Sequence, residues 1–415
     1  MTSMRAYRDA QPEHASGHAR IERLLAESRP GHSLPQPFYN DKALYDFDVQ
    51  AVFHRHWLQA CLEVEIPEPG DFVTMTVGHS PIVILRDDAG HVRGYFNTCR
   101  HRGAQICQEP KGHMRRLVCP YHQWTYDLAG KLVYAGRMQE SFEPERHSLL
   151  PIRLESLAGV VYVSLADDPP DFAPFRDAVE PLLAPHDLKN AKLAHSATLI
   201  EKANWKLVME NARECYHCPS RHRELVKTFP VRGGDADDER TQRHDAFTAD
   251  WEAKGLPCGP VTGSWWEAAR FPLQPDSVSL TMDGTPAVAK LLGTTGEGDI
   301  GSMRWAIQPH AFNHAVGDYV FFFQALPTAT EETVVTAKWV VNKDAVEGVD
   351  YDLAGLVELW DKTNLQDRWL AENNQRGVNS ASYRPGPYSE LAEIGVIKFN
   401  NWYRAAAEAF LGRQR

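Results

Sequence analysis

Short runs rich in β-branched and aromatic residues, broken by Gly, Pro and Asp, fill the first third of the chain: "DFVTMTV" (71–77), "PIVILRD" (81–87), "VRGYFNT" (92–98) and "GVVYVSLA" (159–166). They predict the strands of a small β domain over residues 47–166. Before it, residues 1–46 read as an irregular arm with one short amphipathic helix, "RIERLLAES" (20–28). After it, "ADDPPDFAPF" (166–175) reads as a linker. The pattern then changes. Over 175–415, "SVSLTMDG" (277–284), "YVFFFQALP" (319–327) and "TVVTAKWVV" (333–341) predict strands of an antiparallel sheet. The polar run at 235–255 predicts an exposed loop and helix, and "YDLAGLVELWDKTNLQDRWLAENNQRG" (351–377) a long amphipathic helix. The fold class expected is α+β, a small β domain followed by a larger domain of sheet and helices.

Composition narrows this without naming a function. A chain of 415 residues, 43% hydrophobic and 24% charged, is an ordinary globular one of two or three domains. Its net charge of -11 argues against nucleic acid and anionic membranes as partners, since both would repel it. No secretory signal is legible, and no segment approaches the roughly 20 apolar residues of a membrane helix, so a cytoplasmic protein is expected. In that setting the seven cysteines read as reduced thiols, a few of them metal ligands.

Four of the candidate ligands are Cys99-x-His101 and, after seventeen intervening residues, Cys119-x-x-His122. Structural zinc sites tend to group a Cys pair and a His pair, whereas here each loop offers one thiolate and one imidazole. A Rieske [2Fe-2S] cluster needs two Cys on one iron and two His on the other, so two facing turns can each supply one ligand to each iron. Cys107 and His113, inside the intervening loop, read as bystanders. Arg100, Arg102, Lys111, Arg115 and Arg116 put local positive charge on an acidic protein, either as solvated loop residues or as a docking patch for an acidic electron donor.

A second set lies in "NWKLVMENARECYHCPSRHREL" (204–225). At helical spacing Leu207, Glu210, Glu214 and His217 share one face. His222, five residues after His217, would point away unless Pro219 ends or kinks the helix and lets it swing back. On the long C-terminal helix the stripe Leu356, Trp360, Thr363, Asp367 and Leu370 contains one misfit, Asp367, a carboxylate that needs a partner or a metal. His217, His222 and Asp367 make the two-His, one-carboxylate set of mononuclear non-haem Fe(II) oxygenases.

Taken together, the Cys99/His101/Cys119/His122 signature, "ECYHCPSRH" and "NLQDRWLAENNQRG" resemble the α subunit of Rieske non-haem iron, ring-hydroxylating-type oxygenases from about residue 36 onward. The resemblance implies a helix-grip fold for the catalytic domain and a head-to-tail homotrimer. It also implies a carboxylate bridge, Glu214, between His217 and His122 of the neighbouring chain. Glu rather than Asp at 214, with "SLPQPFY", "CPYHQWTY", "SLTMDG", "NKDAVEGVDYD" and "RPGPYS", is similar to the branch that oxidises quaternary ammonium compounds. That implies a betaine as substrate, with O2 and electrons from a separate ferredoxin or flavin reductase. An aromatic-ring dioxygenase, a pure electron carrier and a zinc-stabilised binding module are the rival readings. Aromatic faces suit a quaternary ammonium, and Trp265, Trp266, Phe271, Trp305, Phe312, Tyr319 and Phe321 to Phe323 are candidates, though most should be core. No strand-linked GxGxxG is present, so a nicotinamide site of the chain's own is not expected.

Overall fold

A computed structural model describes residues 12–231 and 237–413. Strands β1 (Leu58–Leu62), β2 (Asp71–Val77), β3 (Ser80–Arg86), β4 (Val92–Phe96), β5 (Lys111–His113), β6 (Leu117–Val118), β7 (Thr125–Tyr126), β8 (Leu132–Tyr134), β9 (Arg153–Leu157) and β10 (Val160–Ser164) build the first unit. They form three small antiparallel sheets, ordered β4-β3-β2-β5, β6-β7-β8 and β1-β10-β9. The predicted runs at 71–77, 81–87, 92–98 and 159–166 coincide with β2, β3, β4 and β10.

The second unit is one seven-stranded antiparallel sheet, β11-β17-β16-β15-β14-β13-β12. Its strands are β11 (Ala191–Glu201), β12 (Val261–Thr262), β13 (Trp266–Phe271), β14 (Ser302–Ile307), β15 (Ala311–Ala315), β16 (Tyr319–Ala329) and β17 (Glu332–Asn342). Period-2 alternation splits its aromatics between two faces. Tyr319, Phe321 and Phe323 share a core cluster with Leu356 and Trp360 of the long helix Leu353–Val378. Phe322 and Trp305 point the other way, onto the helix Ala173–Leu183 and Tyr162 of β10. A sheet with a long helix on one face is the helix-grip arrangement expected. The helices are numbered α1 (Pro12–Glu27), α2 (Pro37–Asn40), α3 (Lys42–Asp48), α4 (Ala173–Leu183), α5 (Trp205–Asn211), α6 (Cys218–Arg221), α7 (Asp237–Ala253), α8 (Leu353–Val378) and α9 (Ile394–Arg413).

Two sequence expectations are corrected here. From residue 12 on the arm is not irregular: α1 to α3 fold onto the catalytic unit, with Ile21, Leu24, Leu25 and Phe38 in the core they share with α5 and α9; residues 1–11 lie outside the described residues. Its anchor is a fully buried ion pair between Asp48 and Lys206. Trp205 Nε1 and Tyr403 Oη donate to the Asp48 carboxylate at 3.0 and 2.7 Å, and Lys206 Nζ to the Phe38 carbonyl at 2.9 Å. The charges are therefore hydrogen-bonded as well as paired, which is what makes their burial tolerable. Secondly, "SVSLTMDG" is not a strand but a loop. Ser279 donates to Asp318, and Thr281 to Asp283 and the Thr285 carbonyl, so local side-chain bonds replace a ladder.

Candidate metal centres

Two loops of the first unit are built alike. Cys99 N donates to the Ala104 carbonyl at 2.8 Å and Gly103 N to the Cys99 carbonyl at 3.0 Å. Cys119 N donates to the Trp124 carbonyl and Gln123 N to the Cys119 carbonyl at the same two distances. Both turns close through a left-handed residue, Gly103 at φ +82° and Gln123 at φ +60°. Each Cys is thereby set at the mouth of its turn with its His two or three residues on. Cys99 and Cys119 are both buried, and burial and the neighbouring Cys99 raise the Cys119 thiol, while the Nδ1 atoms of His101 and His122 face each other at 3.1 Å. Two sulfurs on one side and two imidazole nitrogens on the other suit a mixed-ligand [2Fe-2S] cluster, not four equivalent metal ligands. His101 stacks on Trp124 and His122 on Tyr121, with both histidines exposed.

The other residues of the loop behave as bystanders. Cys107 is buried against Met114, and His113 Nδ1 meets Asp71 at 2.9 Å. The five basic residues are exposed, though Arg102 lies over the Tyr121 ring and Arg116 pairs with Asp88.

The second site is assembled from three elements. α5 starts with Asn204 accepting from Lys206 N and stops at Asn211. This corrects the shared-face expectation: Glu214 and His217 are not on that helix. The Glu214 carboxylate accepts from the backbone N–H groups of Tyr216 and His217, groups a continuing helix would have paired with carbonyls. Pro219 does not break a helix either; it sits in the first turn of α6, where its missing N–H costs nothing. The expected result still holds, because His222, at the end of α6, returns beside His217 with their Nε2 atoms 3.0 Å apart. Asp367 on α8 places Oδ1 2.9 Å from His222 Nε2 and 3.3 Å from His217 Nε2.

Both imidazoles are oriented from behind. His217 Nδ1 donates to Glu214 Oε1 at 2.5 Å, and His222 Nδ1 to Gln366 Oε1 at 2.6 Å. Gln366 is fixed in that sense because its amide donates to Glu224 at 3.3 Å. Asn211 donates to Asp367 Oδ1 at 2.6 Å. In the neutral imidazoles, a proton on each Nδ1 leaves each Nε2 as the lone pair a metal requires. Burial opposes charge on these rings, but the Asp367 and Glu214 carboxylates outweigh it and raise His217 to about 9. His222 is raised likewise by Asp367, and Asp367 is lowered by the two imidazoles despite its burial. The donor set, two nitrogens and one carboxylate, suits Fe(II) with open positions.

Gln366 and Asn211 were not singled out from sequence, since an amide carries no ligand signal. A further correction concerns thiols: Cys215 and Cys218 are joined as a disulfide, while Cys61, Cys99, Cys107, Cys119 and Cys258 are free. The sequence signal that could have found the pair is the CxxC spacing of "CYHC". Of the proposed aromatic residues, Trp265, Trp266, Trp305 and Phe322 pack in the cluster with α4. Only Phe271 and Phe312 are half-buried.

Residues 188–409 match the family model "Ring hydroxylating alpha subunit (catalytic domain)" and residues 56–150 match "Rieske [2Fe-2S] domain". The chain belongs to the α-subunit family of Rieske non-haem iron oxygenases, whose cofactors are a [2Fe-2S] cluster and a mononuclear iron. It is 46% identical over 387 residues to the glycine betaine monooxygenase oxygenase subunit of Pseudomonas aeruginosa, covering 92% of this chain and 90% of that one. Against the subunit of the same name from Chromohalobacter salexigens it is 42% identical, covering 92% and 87%. Among solved structures, a quaternary ammonium Rieske monooxygenase superposes with a TM-score of 0.72 at 21% identity, covering 93% of this chain and 98% of that one, a likeness of fold.

Proposed function

We propose that this chain is the oxygenase component of a monooxygenase that N-demethylates a quaternary ammonium compound, glycine betaine before other betaines. Residues 47–166 would carry the cluster on Cys99, His101, Cys119 and His122, and residues 175–415 the ferrous ion on His217, His222 and Asp367. The observation that carries the reading is the convergence of His217 Nε2, His222 Nε2 and Asp367 Oδ1 behind a Cys2His2 loop pair in one chain. Near-full-length identity to two glycine betaine subunits supports the substrate. When bound, the cluster supplies single electrons and the iron activates O2 for insertion into an N-methyl C–H bond. Overall, glycine betaine, O2, two electrons and two protons give dimethylglycine, formaldehyde and water.

The chain's residues set the conditions for this. Glu214 and Gln366 hold the imidazole tautomers, and Asn211 fixes the Asp367 rotamer. Two electrons must come from a separate ferredoxin or flavin reductase. The head-to-tail homotrimer is supported by exposure: His122 and Tyr121 lie at the surface, and so do Tyr216, Leu365 and Trp369 around the second site. Glu214 makes no hydrogen bond to His122 within the chain among the described residues, so the bridge would cross between copies. Cytoplasmic location agrees with the reductase requirement, and no described helix is long and apolar enough to cross a membrane.

The test is formaldehyde release with glycine betaine, proline betaine, carnitine and choline, using a compatible reductase and NADH. Glycine betaine is expected to give the highest kcat/KM. Formaldehyde from none of the four, with the cluster intact and reducible, would overturn the reading.

A further inference from the structure

His217 is the third residue of Cys215-Tyr216-His217-Cys218. The two cysteines are bonded, with Cα atoms 4.9 Å apart, so a covalent ring encloses the residue that points at the second metal site. Cys218 is buried, and its sulfur lies within 4.8 Å of the ring nitrogens that His217 and His222 offer a metal. Cys215 is half-buried and Tyr216 beside it is exposed, which leaves the outer sulfur approachable from solvent. The sulfur of Cys218 therefore has two fates. In the disulfide it is tied to Cys215 and is a poor ligand; as a thiol it stands beside the imidazoles with a soft donor, which favours thiophilic ions over a ferrous ion held by N and O.

We propose that Cys215 and Cys218 are a reversible redox site that governs the mononuclear metal centre. Closed, the pair clamps the backbone of His217 and withholds sulfur from the metal. Open, it releases the loop and offers Cys218 as a further ligand. Hydrogen peroxide is the oxidant: one thiolate attacks the O–O bond, giving a sulfenic acid and hydroxide that takes up a proton as water. The second thiol then attacks the sulfenic sulfur and expels a second water. Two thiols and one H2O2 thus give one disulfide and two waters. A dithiol reductant reopens the pair by exchange and leaves as its own disulfide. The inference rests on the assignment of His217 and His222 as metal ligands.

Full-length protein with an intact cluster, freed of mononuclear iron, tests it with Co(II) as the probe. After peroxide, the tryptic peptide 214–221 should resist alkylation until dithiothreitol is added. Reduced protein should bind Co(II) about tenfold more tightly than oxidised protein and show a thiolate-to-metal charge-transfer band in the difference spectrum. Cys215→Ser should show that band without any reductant, and Cys218→Ser in neither redox condition. Complete alkylation of the peptide after peroxide, or one Co(II) spectrum for both states, overturns the proposal. If Co(II) binds neither state and His217→Ala behaves as the parent does, the ligand assignment itself fails, which the alkylation result distinguishes.

Discussion

At the scale of single residues, the protonation of His217 governs the second site. Against burial, the Asp367 and Glu214 carboxylates raise its pKa to about 9 in the metal-free protein, so at pH 7 a proton competes for the nitrogen proposed to bind the metal. Divalent metal binding at pH 7 should release protons, and affinity should rise with pH up to about 9; a calorimetric titration in buffers of different ionisation enthalpy checks both. The same raised pKa has a definite sign for stability. The ion pairs of His217 with Asp367 and Glu214 contribute fully below the unfolded value of about 6.5 and are lost as pH rises through 9, so the metal-free melting temperature should decline across that window. Replacing His217 with Ala should abolish turnover and the third iron per chain while leaving the cluster's visible and EPR spectra unchanged. Retained turnover would remove His217 from the site.

At the scale of elements, the second site depends on where helices stop. α8 is started by Asp352, whose carboxylate accepts from Gly355 N at 2.9 Å. Asp352→Ala should cost about 0.5–2 kcal/mol, read as a lower urea midpoint with an unchanged m-value. Strand positions 71–77, 319–327 and 333–341 were legible because period and β-propensity agree there, and α8 because its apolar stripe is long. The end of α5 at Asn211 was not. Helical spacing continues through Glu214 and His217, and what overrides it is the Glu214 carboxylate taking backbone N–H groups that the helix needed. Likewise "SVSLTMDG" has strand composition, but Asp318, far along the chain, holds Ser279 and the backbone N–H groups of Ala287 and Val288.

For the whole molecule, the arm and the catalytic unit share one core through Asp48 and Lys206. Asp48→Ala strands a buried ammonium, and a loss of about 3–5 kcal/mol is expected, seen as a lowered melting temperature of the entire chain rather than of the arm alone. The proposed trimer makes another prediction. His122→Ala and His217→Ala chains, each inactive alone, should regain activity when co-assembled, because the intact cluster of a His217→Ala chain can feed the intact iron site of a neighbouring His122→Ala chain. Failure of purified mixed oligomers to turn over would place electron transfer within one chain.

The candidate ligand residues were singled out by sequence alone, because metal chemistry restricts such residues to a few side-chain types and their spacing within loops is local. Cys99, His101, Cys119, His122, His217, His222 and Asp367 needed no coordinates to be singled out. Tertiary structure decided what supports them: Gln366 behind His222, Asn211 on Asp367, the Cys215–Cys218 bond and the arm locked by Asp48. Amides, cysteines and single carboxylates look the same in sequence wherever they fall, and only the packing of α5, α6 and α8 against one another gives each its partner.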